Sequence, residues 1–174
     1  MALLKKYQLP NNRTVDVTSD AIEKMKEWRQ IQQDMSEAGG FLTGYQNDKS
    51  SNIIIDNISH PYFLDYRTRI RFDLRDPRHY LFLYRQQKTG SQYLGTWHTH
   101  PENIPEPSER DWHDWKSSLQ EDRSVCDCMF FIVVGIVDMR IWAGFAKEPH
   151  ITELYEIKKR DGIYLYGENR NKDK

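Results

Sequence analysis

Residues 97–111 read WHTHPENIPEPSERD, and the rest of the chain is organised around them. The preceding run, QYLGTW at 92–97, is rich in β-forming residues and predicts a strand. His98 and His100 stand two positions apart at its end, so their side chains point to the same face and can converge on one ion. Three prolines follow and exclude both a continued strand and an immediate helix, which predicts a loop over residues 101–107.

A helix is predicted to begin at Ser108, which is a good N-cap residue. Glu109 and Asp111 place acids in its first turn, where the helix dipole favours negative charge. The apolar face that follows consists of Trp112, Trp115 and Leu119. The first turn can face the histidines. Neutral imidazole and carboxylate are ordinary zinc ligands, and three protein ligands leave a fourth position open, so we interpret the stretch as a catalytic zinc site.

A hydrolytic zinc site also needs a nearby base that is not itself a ligand. The candidate is Glu37, which opens the segment EAGGFLTG at 37–44, an acid before a glycine pair and a short alternating strand. Each pattern has an ordinary structural explanation when it stands alone. A Ser-x-x-Asp is usually a helix cap, a Glu-x-Gly-Gly is usually a helix end, and most His-x-His pairs bind no metal.

Together and in this order, these residues resemble the active-site pattern of the JAB/MPN (JAMM) metalloproteases. In that pattern an upstream Glu is followed by His-x-His-Pro, six residues, and then Ser-x-x-Asp. The resemblance implies that His98, His100 and Asp111 bind one catalytic Zn²⁺, that Glu37 is the general acid/base, and that Ser108 helps to stabilise the oxyanion. It also implies an α/β (α+β) JAB/MPN fold, with a curved mixed β-sheet flanked by helices, resembling the cytidine-deaminase-like architecture.

Within this family, the wording GTWHTHPE at 95–102 looks most like the small bacterial JAB proteins of CBASS anti-phage operons. Those operons encode a cyclic-oligonucleotide synthase (CD-NTase) and a ubiquitin-type activating and conjugating enzyme. The implied function is a zinc-dependent isopeptidase that releases a CD-NTase conjugated through its C-terminal tail, and that tail is expected to pair with a sheet edge beside the zinc. Two alternatives stay open: processing of another ubiquitin-like or sulfur-carrier protein, and a non-catalytic MPN scaffold.

The 174 residues predict one domain over 1–174, with its core at about 15–145 and a polar tail at 168–174. The net charge is −1 with dispersed basic residues, so we expect neither a nucleic-acid nor a membrane partner. The basic run RTRIRF at 67–72 is interpreted as the polar face of a strand, with an anionic partner as the alternative. We find neither a membrane-length apolar segment nor a signal peptide, which predicts a cytoplasmic protein.

Hydrophobic periodicity predicts the remaining elements. An amphipathic helix should begin at Ser19 and continue to the glycine pair, because apolar residues recur at spacings of three and four up to Met35. A second helix should follow Asp76 and end near Lys88. Strands are expected at about 13–17, 41–45, 52–57, 69–74, 129–137, 140–145, 153–157 and 164–166. Cys126 and Cys128 suit a buried strand in a reducing compartment, with a second metal site as the alternative.

Overall fold

The computed structural model describes residues 4–121, 127–146, 150–160 and 163–166. Its main sheet has eight strands in the order β1-β2-β4-β3-β7-β8-β9-β10. These strands are β1 Lys5–Gln8, β2 Thr14–Val17, β3 Gly39–Gln46, β4 Ile53–Ile58, β7 Gln92–Thr99, β8 Cys128–Val134, β9 Met139–Phe145 and β10 His150–Leu154. Two separate hairpins consist of β5 Tyr66–Thr68 with β6 Arg71–Asp73, and β11 Ile157–Arg160 with β12 Ile163–Tyr166. The α-helices in the described ranges are α1 Ser19–Lys26, α2 Arg78–Lys88 and α3 Glu109–Glu121.

The sheet is mixed, because β2 pairs with β4 and β7 with β8 in parallel while its other neighbours are antiparallel. Every residue of β8 is buried, since its two faces carry separate apolar clusters. Phe130 and Ile132 lie in the cluster that includes α1, whereas Phe131 and Val133 pack with Trp115 of α3. A mixed sheet flanked by helices confirms the predicted α+β fold class, and no described helix is long and apolar enough to cross a membrane.

α3 is the crossover between the parallel strands β7 and β8. A parallel pair requires such a crossover, and here the connection leaves from the end of β7 that carries the two histidines. The predicted loop at 101–107 and the predicted helix start are therefore both confirmed. Because the loop is short, the first turn of α3 returns to the place where β7 ends.

The first helix is shorter than predicted: α1 ends at Lys26, and residues 27–38 are irregular. Apolar residues keep their helical spacing up to Met35, but side chains bind the backbone carbonyls of this segment. Arg69 Nη1 donates to the carbonyls of Gln32 and Gln33, and the buried amide of Gln30 donates to the carbonyl of Met35. These side-chain hydrogen bonds take the place of helical backbone bonds. Ile31, which belongs to the apolar pattern, is 62% exposed.

Two predicted strands also differ. Residues 69–74 do not form one half-buried strand, because Arg69 and Ile70 make the turn of the β5–β6 hairpin and Ile70 is 79% exposed. The strand predicted at 129–137 ends at Val134. The amide of Gly135 donates to the carbonyl of Asp138, and the amides of Ile136 and Val137 donate to carbonyls of the 101–107 loop.

The other predicted strands lie close to their observed positions, although β10 begins three residues before the predicted 153–157 segment. The second helix follows the Asp76 cap, whose carboxylate accepts from the amide of Arg78, and Gly90 closes it at φ +92°. Cys128 is buried on β8 as predicted. Cys126 and the polar tail at 168–174 lie outside the described residues.

Candidate metal centre

The two histidines meet at the end of β7. β7 pairs with β3 and β8, and His98 stands opposite Gly39 on one side and Val133 on the other. Both side chains point to one face, so His98 Nε2 and His100 Nε2 lie 3.0 Å apart. Gly39 is required here, because a Cβ at this position would lie 2.7 Å from the carbonyl oxygen of Trp97. The close pairing keeps the face beside the histidines open.

The third candidate metal ligand, Asp111, lies in the first turn of α3. The amide of Asp111 donates to Ser108 Oγ at 3.2 Å, and both the amide and the hydroxyl of Ser108 donate to Asp111 Oδ2, at 2.6 and 2.7 Å. This reciprocal cap holds the carboxylate against the histidines. Asp111 Oδ1 lies 3.2 Å from His98 Nε2, and Asp111 Oδ2 lies 3.3 Å from His100 Nε2.

The three side chains form the one group in the described residues whose donor atoms could together hold a metal ion. The donors are two imidazole nitrogens and a carboxylate, a set typical of zinc. Tetrahedral zinc with bonds of about 2.0–2.1 Å requires neighbouring ligand atoms about 3.3 Å apart. His98 Nε2 and His100 Nε2 lie 3.0 Å apart, and each lies 3.2–3.3 Å from a different oxygen of Asp111. One ligand atom of each residue lies within 4.8 Å of the other two, so the three side chains are close enough to converge on one ion.

Glu37 lies beside this group but outside it. Its carboxylate is 6% exposed, and Oε1 is 3.9 Å from His100 Nε2. Burial raises the pKa of Glu37 from 4.5 to about 8; His100 opposes this shift, and the negative charge of Asp111 adds to it. A carboxylic acid with a near-neutral pKa can both accept and return a proton, as a general acid/base must.

The pKa of Asp111 moves in the opposite direction, whereas that of His100 is raised as that of Glu37 is. Burial alone would raise the pKa of Asp111, but hydrogen bonds from His100, His98 and Ser108 hold it well below its usual range. Burial alone would lower the pKa of His100, but Asp111, Glu37 and Glu102 raise it above its ordinary value. Carboxylates thus outnumber cations around the donor atoms, which favours a bound cation.

The loop that joins the histidines to Asp111 is held by the turn after β8 and by β9. The amide of Ile136 donates to the carbonyl of Glu102 at 2.7 Å, and Arg140 Nη1 donates to the carbonyl of Pro105 at 3.0 Å. Arg140 is buried and also forms ion pairs with Glu106 and Glu153. These contacts fix the distance over which the chain returns from β7 to α3.

A cleft of about 400 Å³ opens in front of the donor atoms. Its walls are β6 on one side and the first two turns of α3 on the other, with Thr96 and Gly40 among the residues beneath. Arg110 Nη2 donates to Asp73 Oδ1 at 2.7 Å and so joins the two walls. Glu37 and the three donor residues thus line one cleft.

The structure thus brings all five predicted site residues to one place. They are Glu37, His98, His100, Ser108 and Asp111. Ser108 differs in one respect, because its hydroxyl donates to Asp111 and not into the cleft. Sequence reasoning did not identify the residues that support them. Arg140 and Gln30 lie in no recognisable motif. The arginine run at 67–71 was interpreted as the polar face of a strand, with an anionic partner as the alternative, and neither interpretation gave it a role beside Glu37.

A sequence profile of prokaryotic homologues of the JAB domain matches residues 22–144, which include every one of these site residues. The chain belongs to this family. It is 30% identical to a CD-NTase/cGAS isopeptidase of Vibrio cholerae, over 83% of this chain and 89% of that protein. It is also 30% identical to a protein of the same name from Escherichia coli, over 75% and 80% of the two chains. The solution structure of a Desulfitobacterium hafniense protein shares the fold, with a TM-score of 0.53 at 19% identity over 79% of this chain and 87% of that chain.

The raised pKa of Glu37 predicts a pH-dependent stability difference in the metal-free JAB protein. The folded state holds this proton more tightly than the unfolded chain, so wild-type stability falls as pH rises from about 4.5 through about 8. Glu37→Gln cannot ionise and avoids this loss. In EDTA, the variant should melt at a higher temperature than wild type at about pH 8, with the difference shrinking towards zero at about pH 5. Equal differences at both pH values would contradict the buried-acid assignment.

Removal of any donor should cost metal binding without unfolding the chain. His98→Ala, His100→Ala and Asp111→Ala should each bind zinc at least about 10²-fold more weakly in chelator competition, because two donors remain. Circular dichroism and the melting temperature of the metal-free variants should match those of metal-free wild type within a few degrees, since the two apolar clusters do not include these residues. A metal-free wild-type protein that is unfolded would show that the site is structural.

Proposed function

We propose that this JAB protein is a zinc-dependent isopeptidase that cleaves the bond between the C-terminus of a conjugated protein and its target. The observation that carries the proposal is a buried carboxylate, Glu37, held next to a three-donor group with open space before it. A structural zinc site closes with four protein ligands, whereas a hydrolytic site keeps an open position and a separate base. Family membership supports a hydrolytic, peptidase-like enzyme.

His98, His100 and Asp111 would hold the ion, which supplies Lewis acidity to activate a water and polarise the scissile carbonyl. Glu37 accepts the proton of the attacking water and delivers it to the departing amine. Burial raises its pKa, which makes it a stronger proton acceptor than an exposed carboxylate. Its burial excludes bulk water, which strengthens its interaction with the charges that develop in the cleft.

Ser108 is proposed to donate to the oxyanion. In the metal-free arrangement its hydroxyl donates to Asp111 Oδ2. A cation on Asp111 would compete for that oxygen, and the Ser108 hydroxyl could then rotate towards the cleft that it lines. The amide of Ser108 would still hold the carboxylate in place.

The path of the substrate follows from the sheet order. The main-sheet strands nearest the site, β3, β7 and β8, are paired on both sides, so none of them offers a free edge. β6 lines the cleft and pairs, within the described residues, with β5 alone. An extended C-terminal tail would add to the outer edge of β6, and this backbone pairing would bring its last carbonyl to Glu37.

The conjugated protein is proposed to be a CD-NTase. Relatives that are 30–32% identical, from Vibrio cholerae, Escherichia coli and Enterobacter hormaechei, carry the name CD-NTase/cGAS isopeptidase, and this chain covers 67–89% of their lengths. The proposal places the protein in bacterial anti-phage signalling, where it would reverse the conjugation of the synthase.

Three fusion proteins test the substrate. The purified enzyme is incubated with a reporter joined to the C-terminus of a CD-NTase from the same organism, with the same fusion carrying a scrambled tail, and with a ubiquitin fusion. The intact synthase tail should be cut at its last residue at least about 10²-fold faster than the other two, because attack requires a carbonyl delivered in register. Equal cleavage of all three would indicate an unselective protease. Cleavage of ubiquitin alone would assign the enzyme to a different conjugation system.

A further inference from the structure

Arg67 lies on β5, in the basic run that has no assigned role in the proposed reaction. We propose that Arg67 is a positioning residue that fixes the place of Glu37, and that it does so while bound to the face of Trp28. The catalytic part of this inference rests on the proposed function, whereas the structural part does not. The residue belongs to neither the donor group nor the lining of the cleft.

The Glu37 carboxylate is held without a hydrogen bond to its oxygens from any described residue. Within the described part of the chain, no donor lies within hydrogen-bond distance of its oxygens, and the nearest ring nitrogen, His100 Nε2, is 3.9 Å away. Residues 27–38 form neither helix nor strand, so no regular structure holds Glu37 from within its own segment. The place of its side chain must therefore come from the groups that bind the peptide units on its two sides.

Arg67 and its strand bind both of those peptide units. Arg67 Nε donates to the carbonyl of Glu37 at 2.6 Å, and Nη2 donates to the carbonyl of Ser36 at 3.2 Å. The amide of Glu37 donates to the carbonyl of Thr68 at 2.7 Å. β5 thus holds the backbone of Glu37 at both its amide and its carbonyl, and the Arg67 side chain supplies the second of these contacts.

The guanidinium is itself held by an aromatic ring. Arg67 Cζ lies 5.2 Å from the centroid of Trp28, and Trp28 stacks on His60 with 11° between the ring planes. A planar guanidinium can lie on an indole face while its edge donates two hydrogen bonds. Lysine keeps the charge but has no such fork, so Arg67→Lys separates geometry from charge.

Arg69 provides a matched control on the same hairpin. Its Nη1 donates to two consecutive carbonyls of the same irregular segment, those of Gln32 and Gln33, at 3.1 and 2.6 Å. The two arginines therefore anchor the same segment in the same way, but only Arg67 contacts Glu37. A general anchoring role predicts equal effects of the two residues, whereas the positioning role predicts an effect of Arg67 alone.

The test compares Arg67→Lys and Arg67→Met with Arg69→Lys and Arg69→Met in the zinc-loaded enzyme acting on the intact synthase fusion. The Arg67 variants should lose about 10- to 100-fold in kcat with KM within about threefold of wild type, because a misplaced base slows the chemical step and leaves tail binding intact. The Arg69 variants should keep kcat within about threefold. Zinc affinity in chelator competition should be unchanged in all four, since β7 and α3 hold the donors.

Amide hydrogen exchange provides a readout that needs no substrate. Protection of the Glu37 amide should fall at least about tenfold in the Arg67 variants and stay at the wild-type value in the Arg69 variants. Arg67 variants with wild-type protection and wild-type kcat, or Arg69 variants with equal losses, would overturn the inference. A wild-type enzyme that cuts none of the fusions would instead reject the proposed function, and the exchange measurement would still decide the role of Arg67.

Discussion

The hydroxyl of Thr99 links the strand that carries the histidines to the segment that carries Glu37. It accepts from the amide of Ala38 at 2.9 Å and donates to the amide oxygen of Gln30 at 3.0 Å, and Thr99 is fully buried. The amide of Thr99 donates in turn to the carbonyl of Ala38. Breaking this link would leave buried polar groups unpaired, at a cost of about 1–3 kcal/mol for each group. The residue between the two histidines therefore fixes the register of β7 against the chain beside Glu37.

That register matters because a slip of one residue would turn both imidazoles to the other face of the sheet. On that face they would enter the apolar cluster around Trp97 and lose contact with Asp111. Gly39 supports the same register by sterics, since a Cβ there would lie 2.7 Å from the carbonyl oxygen of Trp97 in β7. The buried hydrogen bonds of Thr99 and the close backbone contact at Gly39 thus place the three donors and Glu37 with the accuracy that catalysis requires.

Local rules were sufficient to predict the donor group. Alternation put His98 and His100 on one face, three prolines required a loop, and Ser108 with Asp111 made a recognisable cap. The structure agrees on each point because these features depend on residues only a few positions apart. Glu37 was the candidate base because it precedes a glycine pair and a short strand, and the family resemblance then linked it to His98, which lies 61 residues later in the sequence.

Long-range polar contacts could not be predicted in the same way. The stripe through Trp28, Ile31 and Met35 is a valid helical pattern, and it was wrong because Arg67, Arg69 and Gln30 bind the carbonyls that a helix would use. No sequence pattern indicates that Arg67 and Arg69 bind backbone carbonyls that lie 30 or more residues earlier in the chain. The buried Arg140 is a similar case, because it binds the carbonyl of Pro105 and pairs with the carboxylate of Glu153. Tertiary bonds of this kind override a local propensity worth only tenths of a kcal/mol per residue.

The central claim is that Glu37 moves the proton while the histidines and Asp111 hold the metal. The most direct test measures zinc content and single-turnover cleavage of the synthase fusion side by side in wild type and Glu37→Gln. The variant keeps the size and burial of the side chain but cannot take a proton. Both proteins should bind one zinc per chain. The variant should cleave the fusion about 10²- to 10⁴-fold more slowly than wild type. A variant that keeps its zinc and cleaves at nearly the wild-type rate would contradict the assignment of Glu37 as the base.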